Sequence, residues 1–81
     1  MELSNARALA AQYIKSNMAA PEGDEYAIVD SAIKETELGW YFPYQTVRFL
    51  NTRDLNYSVV GNWPIFVTKL GQVHGPKRPE V

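Results

Sequence analysis

The sequence predicts an α+β fold, with an N-terminal helix packed on one face of a small three- to four-stranded antiparallel sheet. Apolar residues recur at spacings of three and four up to about Asn17, the period of one helix face. Beyond the breaker-rich "AAPEGDE" the period drops to two, and β-branched and aromatic residues take over. The chain has 81 residues, so a single core and a single domain, residues 1–81, are expected, with the helix as the only available cover for the sheet.

The helix, residues 4–17, sets Leu3, Ala6, Leu9, Ala10, Tyr13, Ile14 and Met18 on one side and Asn5, Arg7, Gln12, Lys15 and Ser16 on the other. Ser4 is the expected N-cap, because its hydroxyl can accept from an otherwise unpaired amide of the first turn. Pro21 cannot continue a helix and Gly23 permits a turn, so the helix stops before them. Two basic residues on the polar face are too few for a helix that lies on a membrane surface.

"EYAIVDSAIKE", residues 25–35, reads as a first strand, "TEL" as a tight connection and "GWYFPYQTV", residues 39–47, as a second strand forming a hairpin with the first. "FLNTRDLNYSVVGN", residues 49–62, is polar and reads as an irregular or short helical connection. "WPIFVTK" is a third strand, "LG" a two-residue turn and "QVHG" a short fourth strand. The tail "PKRPEV" carries two prolines and is expected to fray or to lie as an extended edge. Alternation along the second strand turns Trp40, Phe42 and Tyr44 toward the helix and Tyr41 and Pro43 outward.

Composition excludes several functions. Eight basic residues against nine acidic give a net charge of -1, neither a basic footprint for nucleic acid nor a strongly acidic mimic of it. The aromatic strand invites comparison with base-stacking sheets, but Arg48, Arg53, Lys69, Lys77 and Arg78 are offset by Asp30, Glu35, Glu37, Asp54 and Glu80, so no nucleic-acid partner is expected. The absence of cysteine excludes disulfide and thiol chemistry. No apolar run is long enough to span a bilayer, and the N-terminus lacks a signal-like apolar core, so the expected location is cytoplasmic and no membrane partner is expected.

Catalytic chemistry has little to build on. His74 is the only histidine and no base or ligand arrives at a useful spacing, which makes it a surface or edge-strand residue. Glu35 and Glu37, on one side of a hairpin, read as solvated carboxylates, since general-acid work needs a pocket that raises one pKa. Gly71 and Gly75 turn the chain, because no helix follows them to complete a phosphate site. No catalytic residue, metal site or cofactor is expected, and the protein is read as not an enzyme.

Gly39, Trp40, Tyr41 and Phe42, then Leu50, Thr52 and Asp54, then Gly61, Asn62 and Pro64, then Gly71 and Val73 follow one another in a recognisable order. This combination resembles the immunity protein 35 family, also called YrhB-like, whose members carry a Gly-Trp-aromatic-Phe strand, a Leu-x-Thr-x-Asp connection, a Gly-Asn-x-Pro turn and a closing Gly-x-Val hairpin. The resemblance implies a small cytoplasmic α+β protein encoded beside bacterial polymorphic toxins, one that protects the producing cell by binding and blocking the toxin. It implies no catalytic residues. Pro43 departs from the family pattern and removes a ladder amide, so a bulge or edge is expected there. The sequence ends at Val81, before the longer tail many members carry, so a partner surface on that tail is expected to be lacking.

The expected partner is therefore a protein, the cognate toxin domain. Its expected contact surface is the connection of residues 48–63 together with the outward face around Tyr41, with Tyr41, Arg48, Arg53, Asp54, Tyr57 and Trp63 as anchors, because aromatic residues and arginine dominate interface energetics. Tyr41 and Trp63 have an alternative use in filling a second sheet face or a homodimer contact. The alternative function is a housekeeping adaptor or chaperone-like module of the same fold without a toxin.

Overall fold

The structure, a computed structural model, describes residues 1–21, 23–58 and 62–78. Helix α1 spans Leu3–Asn17. It starts one residue earlier than expected: Glu2 is the cap, and its carbonyl oxygen accepts from the amides of Asn5 and Ala6, both at 3.1 Å. Ser4 consequently lies inside the first turn instead of capping it. Met18 leaves the helix in an extended conformation while its N–H still donates to the Ile14 carbonyl at 3.0 Å. The buried face is Ala6, Ala10 and Ile14, one residue per turn, and the two alanines let the helix lie close on the sheet.

The expected hairpin forms, but in two pieces. Strand β1 (Tyr26–Ile28) and strand β2 (Lys34–Glu35) are separated by a 3₁₀ turn over Asp30–Ala32. The facing strand is divided at Pro43 into β3 (Gly39–Phe42) and β4 (Tyr44–Thr46). β1 pairs antiparallel with β4, and β2 with β3. The division follows from Pro43, which accepts a hydrogen bond from the Val29 amide at 2.8 Å but has no N–H to return. The ladder stops there and three residues of the facing chain loop out.

The main sheet has the order β2-β3-β5-β6, with β5 over Ile65–Thr68 and β6 over Val73–Pro76. The turn between β5 and β6 holds three residues instead of two. Thr68 donates its amide to the Gln72 carbonyl across Lys69, Leu70 and Gly71, and Gly71 takes a φ of 87°. A three-residue hairpin loop needs a left-handed residue at this point, which a glycine adopts without steric cost.

Helix α1 covers one face of this sheet. Trp40, Phe42, Ile65 and Val67 point into that layer with Ala6, Ala10 and Ile14, and Ile28 and Tyr44 of the β1-β4 pair extend the same core. Trp40, Phe42 and Tyr44 thus share the helix-facing side, as alternation requires. Tyr41 lies on the opposite side, yet it is not exposed. It is 4 % accessible, with its ring 4.6 Å from that of Phe66 on the neighbouring strand. The Lys77 ammonium lies 4.6 Å above the Phe66 ring and His74 follows on β6, so the outer face has its own small cluster.

Among the described residues two ion pairs hold peripheral segments. Arg7 donates from Nε and Nη2 to the Asp30 carboxylate at 2.6 and 3.1 Å, tying α1 to the 3₁₀ turn. Lys69 donates to Glu35, joining the β5-β6 turn to β2. The guanidinium of Arg7 holds the Asp30 carboxyl below its ordinary range, and Lys69, with a smaller contribution from Trp40, does the same for Glu35. A carboxylate with a depressed folded-state pKa contributes stability above its ordinary value of about 4, and loses it as pH falls through the folded value. Asp30→Asn should therefore give a flatter acid limb than the parent in a series of thermal melts from neutral pH downward. The exposure of both groups keeps the effect small. Superimposable acid limbs would mean that the Arg7–Asp30 pair contributes nothing to folding.

Candidate functional site

The connection between β4 and β5 begins with helix α2 (Val47–Thr52). Thr46, fully buried, anchors both this helix and the 3₁₀ turn beyond it. Its hydroxyl oxygen accepts from the Phe49 amide at 3.1 Å, the N-cap bond, and its O–H donates to the carbonyl of Tyr57. The preceding loop is attached as well, because the Asp24 carboxylate accepts from the Arg48 amide at 3.2 Å.

Helix α2 ends at Arg53, whose φ of 59° and ψ of 20° place a non-glycine residue in the left-handed region. Its N–H donates to the Phe49 carbonyl at 2.6 Å, closing the helix. Asp54 then caps a 3₁₀ turn over Leu55–Tyr57, its carboxylate accepting from the Asn56 amide at 2.9 Å. Downstream, the Asn62 side chain donates to the Tyr44 carbonyl at 3.2 Å, and the Lys77 amide donates to the Pro64 carbonyl at 3.0 Å. Tyr57 and Asn62 are thus both fastened to β4, at positions two residues apart.

This framework presents Arg48, Arg53, Asp54, Tyr57 and Trp63 at the surface. The guanidinium of Arg48 stacks 4.9 Å above the Tyr57 ring, that of Arg53 lies 5.8 Å from Phe49, and that of Arg78 lies 5.9 Å from Trp63. Trp63 is 48 % exposed and Leu55 78 %. Of the anchors expected from sequence, Arg48, Arg53, Asp54 and Tyr57 come together on α2 and the turn after it. Tyr41 does not join them as an exposed anchor, because Phe66 takes its ring into the sheet's second face. Asp54 has its carboxylate engaged as a cap, and Gly61 lies outside the described residues.

Sequence reasoning missed Leu55, Phe49 and Arg78. A signal existed for Phe49, since it precedes Arg53 by four residues, the spacing that brings two side chains together on a helix. For Arg78 the expected hairpin of the last two strands already returns the chain toward Trp63, but the contact itself depends on residues beyond the end of that ladder.

Other candidate groups are placed differently. His74 is exposed on the edge strand β6, its ring 6.1 Å from that of Phe66. Among the described residues no three His, Cys, Asp or Glu side chains are placed to hold a metal ion. An open cleft of about 470 Å³ runs between α1 and β1, lined among others by Arg7, Ala11, Lys15, Met18 and Tyr26. No helix among the described residues is long and apolar enough to cross a membrane.

The family model described as Immunity protein 35 matches residues 4–76. The chain belongs to the immunity protein 35 family. The match takes in α1, both sheets and the whole connection carrying the candidate residues, so the family pattern and the fold coincide over nearly all of the chain. No curated protein and no solved structure matches the chain significantly. Within the strand Gly39–Phe42, the geometry explains each residue: Gly39 permits close approach of β5, Trp40 and Phe42 fill the helix-facing core, and Tyr41 fills the opposite face.

Proposed function

We propose that this protein is a bacterial immunity protein that acts as a single cytoplasmic domain, binding a cognate toxin domain and blocking it by occlusion, without catalysis or cofactor. The observation that carries this reading is the immunity-family match over residues 4–76. The geometry supports it through hydrogen bonds that tie α2, the 3₁₀ turn after it and Asn62 to the rest of the fold, with arginine, tyrosine and tryptophan, the residue types that dominate interface energetics, at the surface.

Arg53→Ala and Tyr57→Ala should each weaken binding to the toxin encoded beside this gene by about 1 kcal/mol or more, with almost no change in thermal midpoint. Alanine at position 53 keeps a Cβ, so the backbone strain is the same in parent and variant. Calorimetric titration measures the first quantity and a thermal melt the second. Binding that ignores these substitutions but is lost on changing Arg7, Gln12 or Lys15 would move the interface to the outer side of α1. A toxin that is neither bound nor neutralised would remove the function itself.

A further inference from the structure

The near-neutral total conceals a sorting of charge along the chain. Residues 1–43 hold seven acidic and three basic residues, whereas residues 44–81 hold Arg48, Arg53, Lys69, Lys77 and Arg78 against Asp54 and Glu80. Among the described residues only Lys69 of this second group has an ion-pair partner. Among the described residues the ion pairs join Arg7 to Asp30 and Lys69 to Glu35, and neither uses an arginine of the second half. Asp24 and Asp54, close by in the fold, keep their charge but form no ion pair with these arginines, each spending Oδ1 on main-chain amides: Asp24 accepts from Glu25 and Arg48, and Asp54 from Asn56.

Arg48, Arg53 and Arg78 instead lie over the rings of Tyr57, Phe49 and Trp63. A cation–π contact engages the guanidinium without using up its N–H donors, which stay available to an acceptor. That fork matches a carboxylate in bidentate fashion, and the stacking lowers the entropy lost when the pair forms. All three arginines are exposed, and Leu55 and Trp63 supply exposed apolar surface on the same connection.

We propose that the partner's contact surface is acidic: a protein face rich in aspartate and glutamate, whose carboxylates engage Arg48 and Arg53 while its apolar part meets Leu55 and Trp63. This rests on the reading of the protein as an immunity protein that binds through this connection. A protein face fits better than a nucleic acid. Binders of the phosphate backbone neutralise on the order of six to ten phosphates along a basic stripe. This surface has three stacked arginines, and the acidic first half of the chain would repel a phosphate polymer. Apolar residues set among arginine and tyrosine match the composition of protein interfaces. Opposite charge on the two partners steers their encounter, so the signature lies in the association rate and its salt dependence.

The test uses the toxin domain encoded beside this gene, with association followed by stopped-flow fluorescence at about 50 and about 200 mM NaCl, a range over which exposed charges become strongly screened. The association rate should fall about tenfold or more across that range, and Arg48→Glu with Arg53→Glu should slow it about tenfold at the lower salt while removing most of the salt dependence. Lys15→Glu, on α1, should leave it nearly unchanged. Should the double reversal fail to fold, judged by circular dichroism, Arg48→Gln with Arg53→Gln provides the same comparison without added repulsion. A complex whose association ignores both salt and these substitutions would overturn the acidic surface and leave the immunity reading standing. Absence of any complex would overturn both. Binding of a single-stranded oligonucleotide more tightly than the toxin, lost in the double variant, would also overturn the proposal and assign the arginines to phosphate.

Discussion

Trp40→Ala is expected to destabilise the protein by roughly 3 to 5 kcal/mol, enough to leave much of the population unfolded, because a core of this size supplies little more than that in total. Trp40 is 3 % exposed and lies on the helix-facing side of β3 with Phe42, against the layer that holds Ala6, Ala10 and Ile14. The neighbouring alanines are too short to follow a retreating ring, so truncation leaves a cavity instead of a repacked contact. The ring also seats the Lys69 ammonium at 4.3 Å while Lys69 pairs with Glu35, so the β2 edge loses an attachment in the same step. Urea unfolding measures the loss. A cooperative transition at nearly the parent midpoint would show that the helix does not depend on Trp40 as its floor.

Gly39→Ala should cost about 3 kcal/mol or more, at or beyond the upper end of ordinary overpacking. Gly39 lies opposite Thr68 in the β3-β5 register while its own N–H and carbonyl bond to Thr36, and a Cβ there would stand 2.1 Å from the Val67 carbonyl oxygen and 2.8 Å from the Thr68 Cα. Both are main-chain atoms of the adjacent strand, so no rotamer change relieves the overlap. The central pair of the sheet would have to separate. The backbone of Gly39 is not left-handed, so space and not φ demands a glycine here. Gly75 makes a useful contrast: its added Cβ would meet the phenol tip of Tyr13 at 2.5 Å, a side chain that can swing away. Denaturant unfolding of Gly39→Ala and Gly75→Ala should therefore separate them clearly. Equal midpoints would mean that β3 and β5 can part at little cost.

The candidate surface was legible in part. Arg48, Arg53, Tyr57 and Trp63 could be named because a polar connection between strands has no core to fill, and arginine and aromatic side chains there exceed what turning the chain requires. Of its two expected uses Tyr41 takes the second, filling the sheet's other face, and the choice between them was not legible for a local reason. Alternation assigns a side chain to a face but does not say whether that face is covered. Phe66, distant in sequence and adjacent in the sheet, covers it. The engagement of Asp54 as a cap was open to sequence reasoning, since an aspartate two residues before an amide in a turn commonly accepts from it.

The sequence by itself determined the α+β class, the extent of the helix to within a residue, the order of the strands and the inward direction of Trp40, Phe42 and Tyr44. Each of these follows from periodicity or from a local breaker, properties that neighbouring residues possess before the chain folds. Only the tertiary structure decided that the two halves of the long hairpin fall into separate sheets, that β3 lies beside β5 in the main sheet, that Phe66 covers Tyr41, and which arginine sits on which ring. Those outcomes depend on contacts between residues far apart in the chain. The Val29 amide meets a proline with no hydrogen to return, Thr46 reaches across to Tyr57, and β6 returns Arg78 to Trp63. Pairings of this kind are selected by competition among whole arrangements of the core, and no local pattern encodes them.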